Sequence, residues 1–466
     1  MNVAAVTLPQ PFLRRLKHIV GAGNCRTDPA DCWAYGYDNS KRHALPQAVA
    51  FAAEHDQVRE LAGLCHEFEV PLVARGRGTG TTGATTPIQG GLVLSLERMD
   101  RLLEFSPDNR YAVAQPGMTN EALQQAVGRA GFFWPPDPTS SAFCSIGGNL
   151  ACNAAGPRAV KYGTPRDNTL GLRAVTGAGK EIRTGVFTTK GVVGYDLTRL
   201  IVGSEGTLAI ITEATLKLTP RPEAKHTLRA VYRDVAAAAR AVAAIMAQPV
   251  APCTLEFIDG NALKLAQRHA PLGLPEGAGA LLMIEVDGLK AGLAEAAERV
   301  GQAAGNDGLL DLSAAATWDE AEHLWQVRKA LSPALRQVAP LKINEDVVVP
   351  VTELPALIAG LDELSAKHGI PIVNFGHAGN GNIHVNLLAQ PQDMERAERC
   401  LDEVFGLVLR LRGTLSGEHG VGLAKRDYVD RELDAESMRL MRAVKAQFDP
   451  KGILNPGKML PAAPCG

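Results

Sequence analysis

Apolar and polar positions follow two rhythms along this chain, and the change comes at residues 219–225, TPRPEAK, where two prolines and mixed charge interrupt the pattern. Before the break, short apolar runs bounded by glycine or proline predict buried strands in PLVARG, GLVLSL, RLLEFS, YAVAQPG and ATLKLTP. PQPFLRRLKHIVGAG reads as an amphipathic helix that stops at glycine. The stretch PQAVAFAAEHDQVRELAGLCHEFEV gives a strand and then a helix, and NEALQQAVGRAG gives a helix with Asn120 as its cap. LRAVTGAGKEIRTG predicts a strand pair turning at Gly177–Gly179. After the break, strands and helices alternate. TLRAVYR, CTLEFIDG and GALLMIEVDG are each followed by an apolar-striped helix. A long helix, TWDEAEHLWQVRKALSPALRQV, leads to INEDVVVPV, a further helix, the strands PIVNFGHAG and NIHVNLL, and a last helix ending at Gly413. That order predicts a sheet covered by helices.

Composition narrows the class. At 466 residues the chain exceeds one core, so about two or three domains are expected. The 47 glycines suggest many tight turns or backbone approaching a ligand closely. A net charge of −2 offers no basic surface, so no nucleic-acid partner is expected. None of the eight cysteines forms a C-x-x-C pair, which argues against an iron–sulfur cluster or zinc ribbon. A disulfide framework does not suit so large a chain, so a reducing compartment is favoured. No apolar run reaches the ~18 residues needed to cross a bilayer, and the N-terminal stretch lacks the charge pattern of a secretory signal. The expected location is cytoplasmic, with room for peripheral contact at the inner membrane face.

Three segments carry candidate chemistry in the first half. Arg75-Gly76-Arg77-Gly78-Thr79-Gly80 follows a strand, and side-chain-free glycines let successive amides point at an anion. The bland reading of the same stretch is a flexible turn. It is not a P-loop, having no G-K-[ST], nor a dinucleotide fingerprint, since no acidic residue follows at the required distance. PPDPTSSAFCSIGGNLACNAAG supplies hydroxyls, amides and glycines, and GSEGTLAIITEAT is another glycine turn opening a strand pair. Together the three suggest a large dinucleotide threaded through backbone contacts.

In the second half, GHAGNGNIHVN places His377 and His384 seven residues apart. On one extended strand that odd spacing puts them on opposite faces, so Gly-Asn-Gly must turn the chain to bring both imidazoles to one point. SGEHG adds Glu418 and His419. The set suits a metal. It also suits two core histidines in a glycine-rich hairpin, and more loosely a histidine-based phosphohydrolase.

RGRGTG, PPDPTSSAFCSIGGN, YGTPRDNTLGL, GYDLTRLIVGSEGTLAIITEATLKLTP, GHAGNGNIHVN, SGEHGVG and FDPKGILNPGKML, spread over 75 to 460, resemble the FAD-dependent D-2-hydroxy acid dehydrogenases. That family has the vanillyl-alcohol-oxidase-type flavin fold. It includes D-lactate dehydrogenase, D-2-hydroxyglutarate dehydrogenase and the FAD subunit of glycolate oxidase. The resemblance implies an α+β fold: a two-part FAD-binding domain over 1–221, completed by 411–466, and a substrate (cap) domain over 222–410 built on an antiparallel sheet. It implies FAD contacts at Arg75, Gly76, Arg77, Gly78, Thr79 and Gly80. Pro136, Thr139, Ser140, Gly147, Gly148, Asn149, Glu205, Gly206, Ile211 and Asn455 would complete the cofactor site. Some members attach FAD through a histidine in the first loop; none stands here, so non-covalent FAD is expected.

The resemblance also implies that His377, His384 and Glu418 hold a divalent cation, zinc or manganese, and that His419 is the catalytic base. Asn386 and Arg328 would contact the substrate, the latter through its carboxylate. The implied reaction is oxidation of a D-2-hydroxy acid, with D-lactate favoured. Lys342 falls close to a second basic position of the hydroxyglutarate branch, but Glu345 and Asp346 follow it and argue against a second substrate carboxylate. The rivals are D-2-hydroxyglutarate dehydrogenase and an FAD or electron-relay subunit of a glycolate-oxidase-like complex. A sugar or aldonolactone oxidase on the same fold does not fit the metal set. Electrons would leave to a quinone, a cytochrome or an electron-transfer flavoprotein, and the chain could form a homodimer.

Overall fold

The runs AVAF, LVLS and LVAR are apolar on both faces because they form parallel strands covered on both sides. In the computed structural model, which describes residues 8–269, 273–315 and 317–462, Ala48–Phe51 and Leu72–Arg75 both pair in parallel with Leu92–Ser95. Cys25–Arg26 adds an antiparallel edge. The amphipathic helices Gln10–Val20 and His55–Phe68 contribute Phe12, Leu16, Val58, Leu61 and Leu64 to the core beside this sheet. A second, antiparallel sheet runs in the order Leu102–Ser106, Tyr111–Ala114, Ala209–Lys217, Thr169–Thr176, Glu181–Gly185. Its core holds Trp134, whose indole N–H donates to the Asn168 carbonyl at 3.0 Å. These sheets belong to one compact unit, formed by residues 1–155, 163–221 and 418–466.

The other unit comprises 156–162 and 222–417. Its seven antiparallel strands run in the order Leu309–Ala314, Ala224–Tyr232, Ala280–Gly288, Thr254–Asp259, Ile372–His377, Asn382–Ala389, Leu341–Val348. Helices Gly260–His269 and Trp318–Val338 send Ala262, Leu263, Leu331 and Leu335 into a core with Ile258, Met283, Phe375 and Leu388 of the sheet. The short 156–162 segment joins this unit because Tyr162 Oη donates to Asp287 Oδ2 at 2.7 Å and Lys161 pairs with the same carboxylate.

Several details differ from the sequence reading. The chain returns to the first unit after Gly417 rather than after residue 410, because Thr414 bridges to Val348 and the Gly417 amide donates to the Asp346 carbonyl at 2.9 Å. Thr119, not Asn120, caps the helix Asn120–Gly128. Asn120 is buried, and its Nδ2 donates to Pro136 O at 3.0 Å and Asn149 Oδ1 at 3.1 Å. Part of the PPDPTSSAFCSIGGNLACNAAG segment is the helix Ile146–Cys152, started by Ser145, whose hydroxyl accepts from the Gly148 amide. Among the described residues no helix is long and apolar enough to cross a membrane.

Candidate active site

The glycine loop owes its shape to what lies beneath it. Arg75 ends a strand with its side chain buried, and its Nη1 donates to Tyr37 O at 2.7 Å and Thr85 Oγ1 at 3.2 Å. A Cβ on Gly78 would stand 2.2 Å from Arg75 Nη2, and φ there is +66°, so only glycine lets the loop cross its own arginine. A Cβ on Gly76 would meet Ser145 Oγ at 2.3 Å, at the start of Ile146–Cys152. Arg77 and Thr139 are exposed, and Ser140 is half-buried.

Asn39 straps the loop from outside. Its amide donates to Gly80 O at 2.8 Å and its side chain to Thr79 O at 3.4 Å. With carbonyls so engaged, the amides of Gly78 to Gly83, all half-buried or buried, donate to no acceptor among the described residues. A run of unspent, partly desolvated N–H groups is the donor set a diphosphate requires, and FAD fits it.

Other residues frame this cradle through the protein. Glu205 adopts φ +53° and its carboxylate accepts from the amides of Val421 at 2.5 Å and Gly422 at 2.8 Å. Asn455 donates to Ala84 O at 2.9 Å and Glu205 O at 2.7 Å. Asn149 Oδ1 accepts from Asn120, and Pro136 offers its carbonyl to the same amide. Gly147 packs against Pro116, Gly206 adopts φ +70°, and Ile211 is buried in its strand. Two further residues escaped the sequence reading. Asp38 is buried beside Gly80, with Oδ2 unpartnered. Lys458 is buried near Glu205, and its burial pulls the ammonium down to about 8.

The two histidines sit on different strands. Ile372–His377 and Asn382–Ala389 form a hairpin joined by residues 378–381, with Gly381 at φ +70°. In register, His377 faces Asn382 and Phe375 faces His384, so both imidazoles project from the same sheet face. Their ring centroids lie 5.2 Å apart at 86°. Glu418 directly follows Gly417, whose amide is held by Asp346. One ligand atom each from His377, His384 and Glu418 lies within 4.8 Å of the others. Three N/O donors at that spacing fit a divalent cation and leave positions for exogenous ligands. His419 comes next in the chain, half-buried. Asn386 faces the same side, is fully buried, and keeps Oδ1 unpartnered while its Nδ2 donates to Val373 O and His384 O.

Arg328 is not a loose helix side chain. Its Nε donates to Glu256 Oε2 at 2.8 Å, and its guanidinium carbon lies 4.6 Å from the Phe375 ring centroid. Glu256 in turn reaches His377 Nδ1 with Oε1 at 2.5 Å. Burial raises the Glu256 carboxyl, but His377 and Arg328 outweigh it and hold the group below its ordinary range. Sequence reading passed over Glu256. The available signal was an acid at an inward position of the apolar run CTLEFIDG. Lys342, Asn344 and Asp346 alternate onto the same face as Asn386 and His384, whereas Glu345 is on the other face.

Comparison with known proteins places the chain in a family. Residues 221–459 match the family described as FAD linked oxidases, C-terminal domain, and residues 46–185 match the FAD binding domain. Glycolate oxidase subunit GlcD of Bacillus subtilis is 40% identical over 449 residues, covering 96% of both chains. D-lactate dehydrogenase of Archaeoglobus fulgidus is 34% identical, covering 93% of this chain and 96% of the relative. D-2-hydroxyglutarate dehydrogenase of Stutzerimonas stutzeri is 32% identical, covering 97% and 99%. Among solved structures, p-cresol methylhydroxylase with substrate bound superposes with a TM-score of 0.80 at 17% identity, covering 97% of this chain and 98% of that one. That likeness establishes the vanillyl-alcohol-oxidase-type fold.

Proposed function

Because the chain belongs to the FAD-linked oxidases, with FAD-linked oxidation of 2-hydroxy acids as its chemistry, we propose that it converts a D-2-hydroxy acid, D-lactate foremost, to the 2-oxo acid. The observation that carries this reading is the His377–His384–Glu418 set, buried at both histidines and half-buried at Glu418, with Asn386 on the same sheet face as the histidines and Arg328 joined to His377 through Glu256. The reaction removes a hydride from Cα and a proton from the hydroxyl. When bound, FAD supplies the two-electron acceptor and the cation a Lewis acid for the hydroxyl oxygen.

The chain's own residues do the rest. The amides of Gly78–Gly83 hold the cofactor diphosphate. Arg328 holds the substrate carboxylate. Asn386 offers its unpartnered Oδ1 to a substrate donor. His419 takes the hydroxyl proton on a ring nitrogen. Relatives that carry the name of a subunit support reoxidation by another polypeptide. A second reading, a dicarboxylic substrate such as D-2-hydroxyglutarate, is favoured by Lys342, whose position on the site face suits a distal carboxylate.

The deciding experiment is anaerobic bleaching of the flavin by a panel of D- and L-2-hydroxy acids. D-lactate should bleach it fastest. Preference for D-2-hydroxyglutarate would select the second reading, and bleaching by no member of the panel would sink both. The loop 75–86 contains no histidine, cysteine or tyrosine to attach a flavin. Heat or acid should therefore release all FAD into the supernatant, and yellow colour remaining with the precipitate would refute non-covalent binding.

A further inference from the structure

Glu256 stands directly opposite His377 in the antiparallel register of Thr254–Asp259 and Ile372–His377. Cross-strand partners have Cβ atoms about 5 Å apart, so a carboxylate there reaches the imidazole edge. Both Glu256 oxygens are used: Oε1 lies 2.5 Å from His377 Nδ1, and Oε2 accepts Arg328 Nε at 2.8 Å and lies 2.8 Å from Nη2. Its side chain is 1% exposed, so water does not compete for those partners. A carboxylate that accepts at Nδ1 places the ring proton there and leaves the Nε2 lone pair for a cation. The same carboxylate takes the Nε side of the guanidinium. Both Nη1 hydrogens and one on Nη2 remain, forming the parallel pair that a second carboxylate accepts. The guanidinium lies over Phe375, which faces His384 in register with ring centroids 5.9 Å apart.

We propose that Glu256 is the positioning residue of the site. One buried carboxylate sets the tautomer and ring plane of the ligand His377 and aims the substrate-binding edge of Arg328. Ion binding and carboxylate binding are thereby coupled through a residue that touches neither. The inference rests on the function proposed above.

Three measurements test it. In metal-stripped protein labelled with 15N-histidine, the His377 signal, assigned by its loss in His377→Gln, should be that of the Nδ1–H tautomer. In Glu256→Gln, zinc affinity measured against a chromophoric chelator should fall about 10–100-fold. KM for D-lactate at saturating zinc should rise about tenfold, with FAD content unchanged. Glu256→Asp should restore part of both. An Nε2–H tautomer, or zinc affinity and KM in Glu256→Gln both within twofold of the unmodified enzyme, overturns the proposal. The tautomer measurement decides even if Glu256→Gln does not fold. If the unmodified protein takes up no zinc, the metal reading itself fails and takes this inference with it. Normal zinc uptake with an indifferent Glu256→Gln removes only the role of Glu256.

Discussion

Replacing His419 with alanine slows anaerobic flavin reduction by D-lactate about 10²–10⁴-fold, the usual worth of a positioned general base, while FAD and the cation stay bound. The side chain follows Glu418, a proposed ligand, in sequence and is not one of the clustered His377–His384–Glu418 donors. Its loss removes an interaction made only as the hydroxyl proton leaves, so kcat falls and substrate affinity persists. The acidic limb of the rate profile should vanish with it, because a protonated imidazole cannot accept a proton. Stopped-flow flavin reduction between pH 5 and 9 reads both effects. A variant that reduces flavin at the unmodified rate, or keeps the same acidic limb, shows that another group is the base.

Chelation removes turnover to below about 1% of the loaded enzyme, since the cation's charge stabilisation is worth several kcal/mol, yet the protein stays yellow. The amides proposed to hold the FAD diphosphate, those of Gly78–Gly83, include none from His377, His384 or Glu418. Adding back a divalent ion restores activity. His377→Ala and Glu418→Ala should behave like the chelated enzyme and not recover, because each removes one of the three donors clustered there among the described residues. Full turnover in protein shown by elemental analysis to be metal-free would end the ligand assignment.

What could be read from the sequence follows the range of the forces involved. The cap strands show in the pattern because their apolar residues meet the period of a sheet. The hairpin of His377 and His384 shows because Gly381 must take positive φ. Arg328 could be placed on its helix, but its partner could not. Glu256 is 72 residues away, and only the packing of that helix against the sheet brings them together. The helix Ile146–Cys152 was hidden by its two glycines, whose propensity opposes it and which close contact with Pro116 requires at 147. Thr119 and Asn120 are both good caps locally, and the choice between them was made by buried acceptors at Pro136 and Asn149. The half-exposed edge strand Leu309–Ala314 lacks the apolar run that marks its neighbours.

The first unit also has an order of assembly in time. Leu72, at the head of the strand that feeds the glycine loop, donates its amide to Ile453 O at 2.8 Å and receives the Asn455 amide at 2.8 Å. Thr82 O is held by Leu423 and Ala424, and Ala84 O by Asn455. On the ribosome these partners follow Leu72 by about 350 to 380 residues, roughly 20–80 s at ordinary elongation rates. During that interval the loop lacks the contacts that fix its far flank, while the whole of the other unit is synthesised and free to fold. Cofactor loading is thus a closing event of biosynthesis, and nascent chains stalled before residue 421 should emerge without flavin.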